Sequence, residues 1–222
     1  MTPAAAPLPV DRLAHKLRNP LGCVRLLADE ISGHLDEPQR ALARDLAREV
    51  DRTCRILNAA VLASGSRLQR SEPLDLPRLL RQAAQAVGES REEAPLWRLD
   101  TEAIAAFRLR GDASLLSTLF FELLANAAQS GSGSVEVLAR PDAGGVCVRI
   151  LDRGAGLPGD LDDLFAPFVS GWPGRAGLGL TVAARIAALH GGRVSLSPRA
   201  GGGAQAEVWL PAADEPSQGG ES

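Results

Sequence analysis

Four short segments of this chain carry residue types that could handle phosphate chemistry. In LAHKLRNPL, His15 lies two residues from Leu13 and two from Leu17, off the apolar stripe those leucines mark and therefore toward solvent. A neutral imidazole, the majority form at neutral pH for an unperturbed pKa of about 6.5, offers a ring-nitrogen lone pair for attack on a phosphoryl group. In FFELLANAA, Glu122 and Asn126 are four apart and share one helix face. Oxygen donors at that spacing suit a hard, water-bearing cation such as Mg2+ held between protein and phosphates. In LDRGAGL, Asp152 closes a strand-like run and should project from a sheet's rim, followed by Gly154 and Gly156. A fixed carboxylate there can accept a hydrogen bond from the exocyclic amine of adenine and would repel the carbonyl of guanine. In GRAGLGLTVA, Gly177, Leu178 and Gly179 open a helix whose free N–H groups and positive dipole end can face phosphates. The Lys-Ser/Thr pair of a P-loop does not follow them.

Two kinds of scaffold must position these groups. Val10, Leu13, Leu17, Leu21, Val24, Leu27 or Ala28, Ile31 and Leu35 recur three and four apart, which predicts one amphipathic helix ending near Ser32 to His34. Asp36-Glu37-Pro38 is a helix-start signal, and Leu42, Leu46, Val50, Thr53, Ile56 or Leu57 and Ala60 continue the period. The result is a helical hairpin over residues 9–65. Two helices with one apolar stripe each cannot enclose a core, so a second copy should complete a four-helix bundle as a homodimer.

The polar stretch over 66–73 carries no period and reads as a linker. From 74 to 213 the pattern alternates between helix and strand. LDLPRLLRQAAQAV, ASLLSTLFFELLANAAQSG and LGLTVAARIAALHGG read as helices. WRLDTEA, FRLRGD, SVEVLAR, GVCVRILDRG, RVSLSPR and AQAEVWLP read as strands, with Pro141 to Gly145 turning one hairpin. Helices on one face of a mixed sheet make this part an α/β sandwich, and the whole chain falls in the α+β class. Residues 214–222 read as a disordered tail.

Bulk properties narrow the function. A chain of 222 residues with 45% hydrophobic content can build one large core or two small ones. With 24 basic and 27 acidic residues the net charge is −3, so nothing draws it electrostatically to nucleic acid or an anionic membrane. No run of about 18 apolar residues exists for membrane insertion and the N-terminus lacks a secretory pattern, so a cytoplasmic protein is expected. Cys23, Cys54 and Cys147 lack ligand or disulfide spacing and read as buried small apolar residues.

The four segments, in this order, resemble the transmitter region of a two-component sensor histidine kinase over about residues 8–212, nearest to the soluble nitrogen-regulation type. The resemblance implies a dimerisation and phosphoacceptor hairpin carrying His15, followed by a GHKL-type ATP-binding domain. By the same resemblance Asn126 ligates Mg2+ and Asp152 reads adenine. Gly154, Gly156, Gly177, Leu178 and Gly179 shape the ATP pocket, and Phe165 and Phe168 match the aromatic motif that packs its lid. The phosphoryl group would pass from ATP to His15 and then to an aspartate on a response-regulator receiver domain. Asn19, four after the histidine, matches the position that helps orient water for dephosphorylating the partner. Receiver choice should reside around Gly22, Arg25 and Asp29, and an upstream sensor protein would supply the input.

Two residues depart from the family pattern. Lys16 stands where an acidic residue normally orients the histidine or takes its proton, and loss of such help costs about 10²–10⁴-fold in rate. Asp11, one turn earlier on the same face, could supply the carboxylate while Lys16 neutralises phosphate charge. Arg175 replaces a glycine two residues before Gly177, restricting the backbone while offering phosphate a cation. These departures keep a catalytically weak pseudokinase or phosphotransfer scaffold as the alternative. An ATPase that activates water through Glu122 is a third, though it would leave the His15 hairpin without a purpose.

Overall fold

The computed structural model describes residues 10–33, 35–63, 71–91, 93–131, 133–157, 164–166, 169 and 177–213. Within these, the side chains of 10–19, 48, 55, 56 and 58–63 are not described. Arg175, Phe168, the expected tail 214–222 and linker residues 66–70 lie outside the described residues, as do the side chains of Asp11, His15, Lys16 and Asn19. The chain forms two compact units, divided between Gly65 and Ser66.

The first unit is the expected hairpin, α1 (Val10–Ser32) and α2 (Glu37–Ala63). Pro20 sits inside α1. Asp36 starts α2 by accepting the Gln39 N–H on its carboxylate at 3.2 Å. Arg40 then reaches back, donating to the carbonyl of Ser32 at the end of α1 at 3.1 Å and to that of Leu35 in the connection at 2.8 Å. Within one chain the buried contact runs through Ala28, Ala47 and Val50, while Val24, Leu27, Ile31, Leu42 and Leu46 of the apolar stripe remain exposed. Leu26, outside that stripe, is exposed as well.

The second unit begins one strand earlier than its hydrophobic pattern suggests. Glu72 and Pro73, assigned to the linker from sequence, belong with Leu74 to β1 (Glu72–Leu74), which pairs antiparallel with β3 (Leu109–Gly111). Three residues are too few to show a period of two. Between them lie α3 (Leu76–Glu89), capped by Asp75, and β2 (Leu96–Asp100). β2 stops short of the expected WRLDTEA because Glu102–Ile104 turns into a single 3-10 turn that buries Ile104.

The main sheet has the order β2-β4-β5-β7-β6, with β4 (Ser134–Asp142), β5 (Gly145–Leu151), β6 (Arg193–Pro198) and β7 (Ala204–Pro211). Among the described strands only β2 and β4 run parallel, so the sheet is mixed. The β4–β5 turn is tighter than expected: Asp142 pairs with Gly145, leaving two residues at the tip, with Gly144 at φ +76. Val135, Val137, Ala139, Val146, Val148, Ile150, Val208 and Leu210 point to one buried face. α4 (Ala113–Gln129) and α5 (Gly179–Leu189) cover that face, with Phe120, Leu116, Leu119, Leu123, Leu124 and Ile186 filling the layer between. Arg149 with Glu207, and Arg140 with Asp100, pair across strands on the opposite face. Only Cys147 of the three cysteines is buried; Cys23 is exposed because it lies off the α1 stripe, and Cys54 is half-buried. Among the described residues no helix is long and apolar enough to cross a membrane.

A buried polar knot joins the start of α4 to the end of α5. Asp112 caps α4, accepting the N–H groups of Ser114 at 3.0 Å and Leu115 at 3.1 Å. Its own N–H donates to Nε2 of His190 at 3.0 Å, and His190 Nδ1 lies 2.8 Å from the carbonyl of Ile186. Nε2 must accept, so the proton is on Nδ1 and the imidazole is neutral. Burial holds its pKa below the ordinary histidine value, against the raising effects of the Ile186 carbonyl and Asp112. Gly111 makes room for the ring: a Cβ there would stand 2.6 Å from Cδ2.

The lowered pKa means the unfolded chain takes up a proton before the folded one does as pH falls. The stabilisation is therefore complete above about pH 6.5 and is lost below it, toward the folded pKa. His190→Gln should cost about 1–3 kcal/mol at pH 7.5 by urea unfolding, and its deficit relative to wild type should shrink as pH is lowered from 6.5 to 5.

Candidate functional site

Of the described residues singled out from sequence in the second unit, Asp152 and Gly154 follow the end of β5. Gly154 packs against the end of α4, the helix that carries Glu122 and Asn126, while Gly177, Leu178 and Gly179 lie at the start of α5. β5 stops at Leu151, so Asp152 is the first residue beyond the strand. Its side chain does not stand free at the rim, as its position alone suggests; it is 5% exposed. Oδ1 accepts the N–H of Gly154 at 2.8 Å and that of Ala204 at 3.3 Å, and the Asp152 N–H donates to the Ala204 carbonyl at 3.0 Å. One carboxylate oxygen is thus tied down by backbone on two sides, which fixes the direction of the other.

Two of the glycines beside this carboxylate have no room for a side chain. A Cβ on Gly154 would overlap Ser130, at the end of α4. A Cβ on Gly203, whose φ is +94, would overlap the carbonyl oxygen of Asp152 itself. Gly201, Gly202 and Gly203 all have positive φ, which lets the β6–β7 turn fold down over Asp152. Gly156, at φ +84, reverses the chain two residues after Gly154.

Glu122 and Asn126 share a face of α4, as their spacing requires, but differ in environment. Glu122 is wholly buried, whereas Asn126, one turn later, is half-exposed. An oxygen donor with access to solvent and a buried carboxylate behind it fits a hard cation that keeps part of its water shell. Gly177, at φ +63, and Leu178 lead into α5, whose first residue is Gly179. Among the described residues no side chain caps the start of α5. Thr181 in that turn donates its hydroxyl to the Phe165 carbonyl at 2.8 Å, tying the half-buried Phe165 to the helix start.

In the first unit His15, with Asp11, Lys16 and Asn19, lies on α1. Of the three residues expected to face a receiver domain, Gly22 is exposed with open space around it. Arg25 pairs with Asp29 at 3.2 Å and with Asp51 of α2. That face is thus fixed by an ion-pair cluster spanning both helices.

Sequence reasoning missed Arg199. This residue follows β6 and donates to the Asp152 carbonyl at 3.2 Å and the Glu136 carboxylate at 3.0 Å. Nothing local marks it, since its partners are 47 and 63 residues away. The approach of Gly201-Gly202-Gly203 to Asp152 is likewise non-local and was not read from the sequence.

Residues 111–214 match the model of the histidine kinase-, DNA gyrase B- and HSP90-like ATPase family. Across both units the chain is similar to the sensor histidine kinase ZraS of Escherichia coli, 27% identical over 90% of this chain and 44% of that protein. It is also similar to the sensory histidine kinase/phosphatase NtrB of Rhodobacter capsulatus, 29% identical over 86% of this chain and 58% of that protein. The chain thus spans about half the length of the curated relatives it matches. Among solved structures, full-length ShkA in complex with AMPPNP has the same fold, with a TM-score of 0.65 over 92% of this chain and 45% of that one, at 24% identity. A mycobacterial sensor histidine kinase, MprB, matches with a TM-score of 0.54 over 64% of this chain and 97% of that one, at 25% identity.

The close approach of Gly203 to Asp152 can be separated from the cost of its φ. Gly202→Ala, at φ +98 in open space, should cost about 1–2 kcal/mol. Gly203→Ala adds a backbone collision and should cost about 1–3 kcal/mol more, read as the difference between the two urea midpoints.

Proposed function

We propose that this chain, a histidine kinase transmitter region with a GHKL-type ATP-binding domain, phosphorylates His15 from Mg-ATP and passes the phosphoryl group to a response-regulator aspartate. The observation that carries this is the Asp152 cradle inside the matched ATPase segment. A carboxylate whose orientation is set by two backbone N–H groups is suited to accept from the adenine amine, and it repels the guanine carbonyl in the same place. The first turn of α5 at Gly177, Leu178 and Gly179, with Arg175 before it, suits the phosphates. Asn126 would hold Mg2+ with Glu122 behind it, and the bound ion would screen phosphate charge as the γ-phosphoryl group leaves.

Phosphoryl transfer to His15 forms a nitrogen–phosphorus bond as the bond to the β–γ bridging oxygen breaks and ADP departs. The proton on the other ring nitrogen then needs an acceptor. Lys16 cannot take it at neutral pH, and Asp11, one helical turn away, is the nearest carboxylate along α1. Lys16 is left to offset the charge on the incoming phosphate. Asn19 would orient water against the phosphorylated receiver, and the exposed Gly22 beside the Arg25–Asp29–Asp51 cluster would contact it.

The stripe of Val24, Leu27, Ile31, Leu42 and Leu46, exposed in a single chain, supports a homodimer closed as a four-helix bundle. A second function, a receiver-binding or phosphotransfer scaffold without kinase activity, is favoured by Lys16. The built Asp152 cradle weighs against it, because a scaffold released from nucleotide has no need to bury and orient that carboxylate.

Purified protein incubated with Mg2+ and γ-labelled ATP should take up acid-labile, base-stable label, and His15→Gln should abolish it. ATP binding without label would leave the scaffold function. Asp11→Asn should slow labelling about 10²-fold or more with ATP affinity unchanged, and an unchanged rate would remove Asp11 from the mechanism. Ile31→Asp should shift the chain from dimer to monomer in analytical ultracentrifugation, since a charge at that stripe position would be buried unpaired.

A further inference from the structure

We propose that Arg199 is a positioning residue for Asp152 and sets how strongly the site prefers adenine over guanine; this rests on the function proposed for Asp152 above. Asp152 Oδ1 is held by two N–H groups of unequal security. That of Gly154 is local, two residues along the same loop, and short at 2.8 Å. That of Ala204 comes from across the sheet and is long at 3.3 Å, so it depends on where the β6–β7 turn sits.

Arg199 determines where that turn sits. Its backbone N–H donates to the Gly203 carbonyl at 3.0 Å and its carbonyl accepts from Gly202 at 3.1 Å, closing the turn. Its guanidinium leaves the turn and bridges two other chain segments. One nitrogen donates to the Asp152 carbonyl at 3.2 Å, and the other to the Glu136 carboxylate of β4 at 3.0 Å. Glu136 is the register partner of Leu151, the residue just before Asp152. The three points therefore triangulate the strand end that carries the base-reading carboxylate. The Arg199 side chain is 11% exposed and that of Glu136 24%, so the pair is sheltered from water and salt more than an ordinary surface pair. Lysine could not span both acceptors with the same planar fork.

Without the guanidinium, the backbone bonds that close the turn and the one from the Asp152 N–H to the Ala204 carbonyl remain, but the side-chain tie between the turn, Asp152 and Glu136 is lost. The 3.3 Å bond from the Ala204 N–H to Oδ1 would weaken, and the carboxylate would gain freedom to rotate. A rotated carboxylate no longer presents a fixed acceptor to the adenine amine or a fixed repulsion to the guanine carbonyl. A purely structural ion pair would lower stability and leave the ratio of the two nucleotides alone.

The test is calorimetric titration of the full chain with Mg-ATP and Mg-GTP. Arg199→Met should weaken ATP binding about tenfold, the scale of one charge-assisted hydrogen bond, with GTP affinity little changed, so that the preference narrows by a similar factor. Arg199→Lys should recover part of the preference. A ratio within about twofold of wild type in Arg199→Met, with Asp152→Asn still abolishing the preference, would make Arg199 structural and overturn the proposal. Should Arg199→Met not fold, Glu136→Ala cuts the same tie from its other end, and the same ratio decides. If Asp152→Asn leaves the preference intact, the function assigned to Asp152 fails and this inference falls with it.

Discussion

The second unit is organised around one constraint: a carboxylate buried at the end of a strand must be hydrogen-bonded, or it would cost several kcal/mol. Asp152 meets it through the backbone of its own loop and of the β6–β7 turn. Each neighbouring peculiarity follows. Gly154 lacks a side chain because the end of α4 lies where a Cβ would go, and Gly203 lacks one because the Asp152 carbonyl does. Antiparallel pairing of β5 with β7 delivers Ala204 opposite the strand end. The requirement to satisfy one buried charge thus fixes turn geometry more than 45 residues away.

The same economy governs α4. From Leu119 to Ala125 it is buried all round, while Ser114 and Ser117 near its start face solvent. Asp112 sets the N-terminal end, and His190 locks Asp112 to the end of α5. α4 and α5 are therefore tied to each other where α4 starts and α5 ends. Glu122 and Asn126 inherit their positions from that coupling. A neutral histidine serves here because it can accept from one backbone group and donate to another, whereas an imidazolium has no acceptor.

Sequence made the long elements legible and left the short and non-local ones unread. The periods of α1, α2, α3 and β5 are long enough to repeat, and the glycines at 154, 156, 177 and 179 fall where strand passes to loop or loop to helix. β1 has three residues and could not declare a period. Asp152 was identified as chemically active but its burial was not, because burial depends on the β6–β7 turn arriving from residue 199 onward. Arg199 carried no signal for the same reason. Local patterning identifies which side chains can act, while the contacts that orient them come from segments that only the folded chain brings together.

The two units differ in what completes them. The second encloses its own core, from Leu76 and Phe120 to Leu210, all less than 2% exposed. Among the described side chains, the hairpin buries Ala28, Ala47 and Val50 and leaves Val24, Leu26, Leu27, Ile31, Leu42 and Leu46 exposed. Small residues at the contact let α1 and α2 approach closely, but each contributes little apolar area, at about 25 cal/mol per Å2. Most of the hydrophobic free energy encoded in the stripe is thus unrealised by a single chain. On the proposed dimer it is recovered only when two copies meet, which makes the hairpin's stability inseparable from protomer concentration. The second unit, which encloses its own core, carries no such dependence, so dilution should loosen the hairpin before it affects the α/β unit.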